Sequence, residues 1–305
     1  MFVANQAMLT LYSVGRATGL VVDAGKDIPL SCSSQICLFS NNLLAGAGST
    51  HVTPVREGHC YTAAAMELEI GGQRITQHLI KLIEDRGTMF SKNPISTFLN
   101  AELIKEKVLN PIVNTLTYSH KNNNKVAYVE EDYEGALGGN DPSLYTTYSL
   151  PDGQIVKTSK ERFQCTEPLF RPSLLNCDSL GVHDMVVSAI NECDATLRPD
   201  LYSTIVLSGA CIKKLLVVTK KANTSTQHKG GTSMLPGLSK RLHKELRALA
   251  PSFMKLNIDT DSDRKIAVWR GGAVLASLST FEEMWVNSEE YSEFGPSIVH
   301  RKCIA

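Results

Sequence analysis

The chain has 305 residues, of which 43% are hydrophobic and 20% charged; that balance excludes a disordered protein and leaves room for two ordinary domains. Lys plus Arg and Asp plus Glu both number 31, so no global field draws the chain to nucleic acid or to an anionic membrane. The eight cysteines (Cys32, Cys37, Cys60, Cys165, Cys177, Cys193, Cys211 and Cys303) form no CxxC pair, which points to thiols in a reducing compartment, and neither a secretory leader nor a membrane-spanning apolar run is present.

In chain order, the apolar residues from Met8 to Tyr12 place core very near the start. Residues 19–23 (GLVVD) predict a buried strand that runs into a turn at Asp23, Ala24 and Gly25. Residues 74–86 put Ile75, Leu79, Leu82 and Ile83 on one helical face, with Gly87 as the stop. Leu242, Leu246 and Leu249 repeat that spacing in SKRLHKELRAL and predict a second amphipathic helix. Met254, Leu256 and Ile258 alternate as a strand should, and Ile266 with Val268 predicts another. In STFEEMW, Thr280 and Glu283 predict a capping box, with Phe281, Met284 and Trp285 on or near the packed side. Strands and helices alternate, so the class is α/β or mixed.

Three stretches, 26–47, 108–125 and 210–229, sustain no period. Each is longer than the ~12–15 residues that compact domains tolerate as structureless connections.

With those stretches set aside, a series of blocks remains: RATGLVVDAG, THVTPVREGH, YSLPDGQIV, PLFRPSLLNCDSLGVHD, RPDLYSTIVLSG and KIAVWRGGAVLASLSTFEEMWVNSEEYSEFGPSIVHRKC. Their content and order resemble the actin family from Met1 to the C-terminus. The resemblance implies an α/β, actin-like ATPase fold of two ribonuclease-H-like lobes around a nucleotide cleft, with the second lobe largely present and the first mostly missing. It implies remnants of subdomain 1 at 1–13 and 267–305, subdomain 3 at 14–70 and 178–266, and subdomain 4 at 71–177, with insertions at 26–47, 108–125 and 210–229. The three interruptions read either as translated intervening sequence, the favoured expectation, or as expanded loops.

The resemblance also assigns sites. ATP or ADP with Mg²⁺ or Ca²⁺ is the implied cofactor. Asp23 and Gly25 look like the opening of a phosphate-binding hairpin, with Asp23 beside the hydrated cation; glycines let backbone N–H groups approach phosphate. The hairpin is interrupted after Gly25, and the family's other hairpin has no counterpart. Gln6 and His51 match the pair that orders the attacking water. Lys105 matches the stem that covers the base and Glu106 the acceptor of a ribose hydroxyl. Gly230, Gly231, Thr232 and Met234 match the loop that cups adenine, where Leu235 replaces an aromatic residue. Lys265 matches the far rim of the base pocket. Tyr12, Gly15, Val274, Leu275, Leu278, Thr280 and Met284 match a groove that receives actin-binding proteins. Other actin subunits are the remaining implied partners, and neither nucleic acid nor membrane is expected. The implied role is that of a cytoplasmic, cytoskeletal, filament-forming protein, defective in this form. A non-polymerising scaffold subunit of a larger assembly is the alternative.

Overall fold

The computed structural model describes residues 2–25, 48–88, 94–106, 127–139, 142–150, 153–209 and 231–303. The three aperiodic stretches lie outside the described residues.

The chain opens with helix α1 (Gln6–Ser13), capped by Asn5, whose side chain accepts from the Ala7 N–H at 2.8 Å. Strand β1 (Gly19–Ala24) follows and is buried at every residue. It is the middle strand of a mixed sheet. On one side it pairs antiparallel with β2 (Thr50–Arg56), which in turn pairs with β3 (His59–Cys60) and β4 (Met66–Leu68). Helices α2 (Gly72–Asp85), α3 (Pro94–Glu106) and α4 (Tyr133–Gly138) come next. A separate antiparallel pair, β5 (Thr146–Ser149) and β6 (Ile155–Thr158), precedes helices α5 (Glu161–Gln164), α6 (Val182–Asn191) and α7 (Arg198–Ser203). Strand β7 (Ile205–Ser208) then pairs parallel with the free side of β1. Helix α8 (Leu238–Leu249) leads to β8 (Ile258–Asp259), parallel to β7. Helices α9 (Ala267–Ala276), α10 (Ser288–Phe294) and α11 (Ile298–Lys302) end the chain.

The two-residue period of β1 sorts its side chains onto two faces. Leu20 and Val22 join Ile75, Leu79, Val186, Leu201 and Leu246 in the main core. Val21 faces the other way, onto Ala7 and Leu11 of α1, with Val55 and Val206. The predicted α2 stripe holds for Ile75, Leu79 and Ile83, while Leu82 is only half-buried. Gly87, at φ +88, ends the helix by donating its N–H to Glu84 O at 2.8 Å. In α8, Leu242 and Leu246 are buried but Leu249 is 46% exposed.

A buried ion pair fastens α8 to the turn at Glu167–Leu169. Arg241 meets both Glu167 oxygens, at 3.2 and 3.3 Å, and also reaches Glu130 O at 2.8 Å and Glu245 Oε1 at 2.6 Å. Its guanidinium lies over the Phe170 ring, 4.9 Å from the centroid. A bidentate fork with its remaining donors satisfied is the arrangement that lets two charges stay out of water.

Three expectations are corrected. Ile266 and Val268 are not strand: Ile266 ends a 3-10 turn, and α9 buries Ala267, Val268, Gly271 and Leu275 at helical spacing. Two alternating residues were too short a window to distinguish the periods. Of residues 254–258, only Ile258 pairs in the sheet. Thr280 has αR backbone and makes no side-chain cap, so it cannot receive the capping bond; the capping box is instead Asn287 with Glu290, at the start of α10.

Helix α9 packs against α1. A Cβ on Gly271 would stand 1.7 Å from Leu9 O, so the two backbones meet where only hydrogen fits. Beyond α9 the core thins to Val286, Ile298 and Cys303, with Trp269, Val274, Leu278 and Trp285 all at least 44% exposed. No described helix is long and apolar enough to cross a membrane.

Candidate functional site

The carboxyl ends of β1 and β7, parallel neighbours, converge on a polar cluster, the position where open α/β sheets hold ligands. Register decides its membership. Asp23 on β1 stands opposite His51 on β2 and beside Ser208 on β7, and His51 stands opposite Glu67 on β4. Glu67, His51, Asp23 and Ser208 therefore form one row across four strands. The row lies on the α1 face, because Val21, two residues before Asp23, belongs to that side.

Helix α1 reaches this row twice. Gln6 Nε2 donates to Asp23 Oδ2, and Thr10 Oγ1 lies 3.4 Å from Ser208 Oγ. Asp23 is buried, 6% exposed, so its carboxylate is placed by the fold rather than by solvent. His51 Nε2 lies 2.7 Å from Ser49 Oγ and 3.7 Å from Glu67 Oε1. Burial pushes the His51 pKa down, and the neighbouring Glu67 charge only partly opposes this.

The strand exit joins the rest of the site through one carbonyl. Gly25 O accepts from Gly72 N–H at 3.0 Å and from Thr232 Oγ1 at 3.2 Å, tying β1 to the start of α2 and to the turn at Thr232–Met234. Gly231 enters that turn at φ +137, a conformation side chains rarely adopt. A Cβ on Gly209 would meet Ser233 Oγ at 2.3 Å and Ala24 O at 2.8 Å. Ser233 is fully buried, and its Oγ has no hydrogen-bond partner among the described residues. Arg264 holds the turn from outside, donating to Ser233 O at 3.0 and 2.8 Å.

The structure thus gathers Gln6, Asp23, His51, Gly25, Gly231 and Thr232, with Met234 half-buried in the same turn and the exposed Lys265 beside Gly231. Lys105 is buried on α3, and its ammonium donates to Gly72 O and to Thr76 Oγ1, both at 2.7 Å. It supports the first turn of α2 from behind. Gly230 and the Glu106 side chain lie outside the described residues. Ser49 borders and Ser233 lies within sequence motifs already noted, whereas Glu67 and Ser208 were not singled out from sequence, and only strand register could have found them.

The groove residues lie apart from this cluster. Tyr12 is half-buried, Gly15 is open at φ +70, Val274 and Leu278 are exposed, Thr280 is exposed and Met284 half-buried. Leu275, 5% exposed, belongs to the packed side of α9.

A glycine-lined turn at Gly231 with the exposed Lys265 beside it leaves room for a planar group such as the base of a nucleotide. At the cation end Asp23 supplies a carboxylate, and no group of three His, Cys, Asp or Glu residues able to hold a metal occurs among the described residues. One protein carboxylate suits a Mg²⁺ ion that keeps its waters and arrives on phosphates.

A family model described as Actin matches residues 43–213 and 229–304. Residues 1–42, which include α1, β1, Gln6, Asp23 and Gly25, lie outside the match; between its two segments, residues 214–228 fall inside the third aperiodic stretch, whereas the match runs through the second.

Proposed function

Taking as premise that the chain belongs to the actin family, we propose that it binds ATP or ADP at the carboxyl ends of β1 and β7, and does so weakly. The observation that carries this reading is the meeting of Gly72 N–H and Thr232 Oγ1 on Gly25 O, which brings the strand exit, α2 and the glycine turn to one point beside Asp23. Gly231, Thr232, Ser233 and Lys265 would face the nucleoside. Asp23 would hold a water of the cation, and Gln6 and His51 would orient the attacking water. The cation, when bound, would screen phosphate charge and favour attack by water. Weakness is expected at the phosphate end, because aperiodic sequence follows Gly25 directly in place of the uninterrupted hairpin whose backbone donors would make charge-assisted contacts. A hundredfold loss relative to an uninterrupted relative corresponds to about 3 kcal/mol.

Calorimetric titration of the full chain with Mg-ATP tests the reading. Saturable binding with a constant weaker than about 1 μM, abolished by Asp23→Ala, is expected. Binding tighter than that sinks the weak-site claim, and no saturation at all sinks the nucleotide claim.

The exposed residues Trp269, Val274, Leu278 and Trp285 favour a second reading, a cytoplasmic scaffold subunit covered by other proteins in a larger assembly. Stoichiometric co-purification supports it. Sedimentation with filaments supports instead a filament-forming cytoskeletal role.

A further inference from the structure

We propose that Ser49 and Glu67 are positioning residues for His51: they fix its ring proton on Nε2 and leave Nδ1 as the basic nitrogen. This rests on the reading above, in which His51 orients water, and adds which atom of the ring does so. Ser49 precedes His51 by two residues, just before β2 begins, and its side chain meets that of His51. The Ser49 Oγ to His51 Nε2 distance of 2.7 Å is a full hydrogen bond, in which either atom could donate.

Glu67 decides the direction. Its Oε1 lies 3.7 Å from the same Nε2, across the β2–β4 pairing. A carboxylate attracts a ring N–H and repels a ring lone pair, so the proton belongs on Nε2 and Ser49 Oγ accepts it. No hydrogen bond engages Nδ1 among the described residues. In the neutral ring it is then an acceptor, able to draw on a water O–H as that water attacks an electrophile. The competing carboxylate is Asp23, on the opposite strand, but its Oδ2 is already held by the Gln6 amide.

The second hand of this arrangement is geometric. Glu67 is a strand residue whose side chain is 58% exposed, so its exchange for glutamine alters charge and little packing. Ser49 is small and lies at the strand entrance.

Long-range ¹H–¹⁵N spectra of the full chain labelled at histidine nitrogen read the tautomer directly, without nucleotide. His51→Gln identifies the resonances. The expected wild-type pattern, above the imidazole titration range, is a protonated Nε2 and an unprotonated Nδ1. Ser49→Ala combined with Glu67→Gln should convert this single form to a mixture of tautomers, and Ser49→Thr should preserve it. If the double variant fails to fold, Glu67→Gln alone carries the test and should shift the pattern in the same direction. A wild-type ring protonated at Nδ1 would mean that Asp23 dominates, and it overturns the proposal. So does an unchanged pattern in the variants. Failure of ATP to bind would leave these spectra as they are, so the two readings fail separately.

Discussion

Strand β1 and helix α9 both bear on α1, yet their surroundings differ. Every residue of β1 is buried, with Leu20 and Val22 in one core and Val21 in another. Helix α9 buries Ala267, Val268, Gly271 and Leu275 against the same layer but leaves Trp269 54% exposed and Val274 44% exposed. Elements covered on two faces carry their stability within the chain, whereas one covered on a single face depends on whatever else meets its open side. Fully burying a leucine or valine is worth roughly 1.5–3 kcal/mol. The main core holds many such residues, and the C-terminal cluster of Val286, Ile298 and Cys303 holds few.

The strongest way to break that contrast is to attack the sheet lobe through the buried Arg241–Glu167 ion pair. Glu167→Ala leaves the buried Arg241 guanidinium with Glu245 as its remaining carboxylate partner, and an equilibrium stability loss at the lower end of about 3–5 kcal/mol is expected in urea. A loss below about 1 kcal/mol would mean that Arg241 escapes to water and the fastening is superficial. At the C-terminal end, Val286→Ala should cost about 1–2 kcal/mol, and it should do so locally. Amide exchange in α10 and α11 should quicken while β1 and β7 stay protected. Equal loosening of both regions would erase the distinction.

The smallest expected effect is a pH dependence that belongs to the sheet side alone. Burial holds the His51 pKa below that of a free imidazole. The unfolded chain then takes up the proton more readily than the folded one, so the contribution is complete above the unfolded imidazole value of about 6.5 and is lost as the pH falls from there through the lower folded value. His51→Gln should remove about 1 kcal/mol or less of the stability lost between pH 7 and pH 5, read from denaturation curves at both values. His78, also held low by burial, keeps the residual slope from reaching zero.

Much of the sheet lobe was legible in the sequence. GLVVD stated β1 because a fully buried strand needs an unbroken apolar run. Ile75, Leu79 and Ile83 stated α2, and Gly87 its end. Helix α9 was obscured because Gly271 and Gly272 lower helix propensity while Ile266 and Val268 mimic alternation. At the site, single residues were legible through family resemblance, but their alignment was not. The row from Glu67 to Ser208 exists only after four strands have paired, and nothing within THVTPVR says that MEL will lie beside it. Lys105 likewise reads as an exposed helical lysine. Only packing of α3 on α2 turns its ammonium onto Gly72 and Thr76.

The contact between Gly271 and Leu9 has a consequence for synthesis. These backbones touch, although about 260 residues separate them along the chain. β1 must also wait for β7 before its second edge is paired. A ribosome adding about 5–20 residues per second delivers α9 on the order of tens of seconds after α1 has emerged. Through that interval the side of α1 destined for α9 has no partner, and the growing chain exposes an open strand edge. The native topology therefore closes late, because α1 and the second edge of β1 are completed only when α9 and β7 have been made.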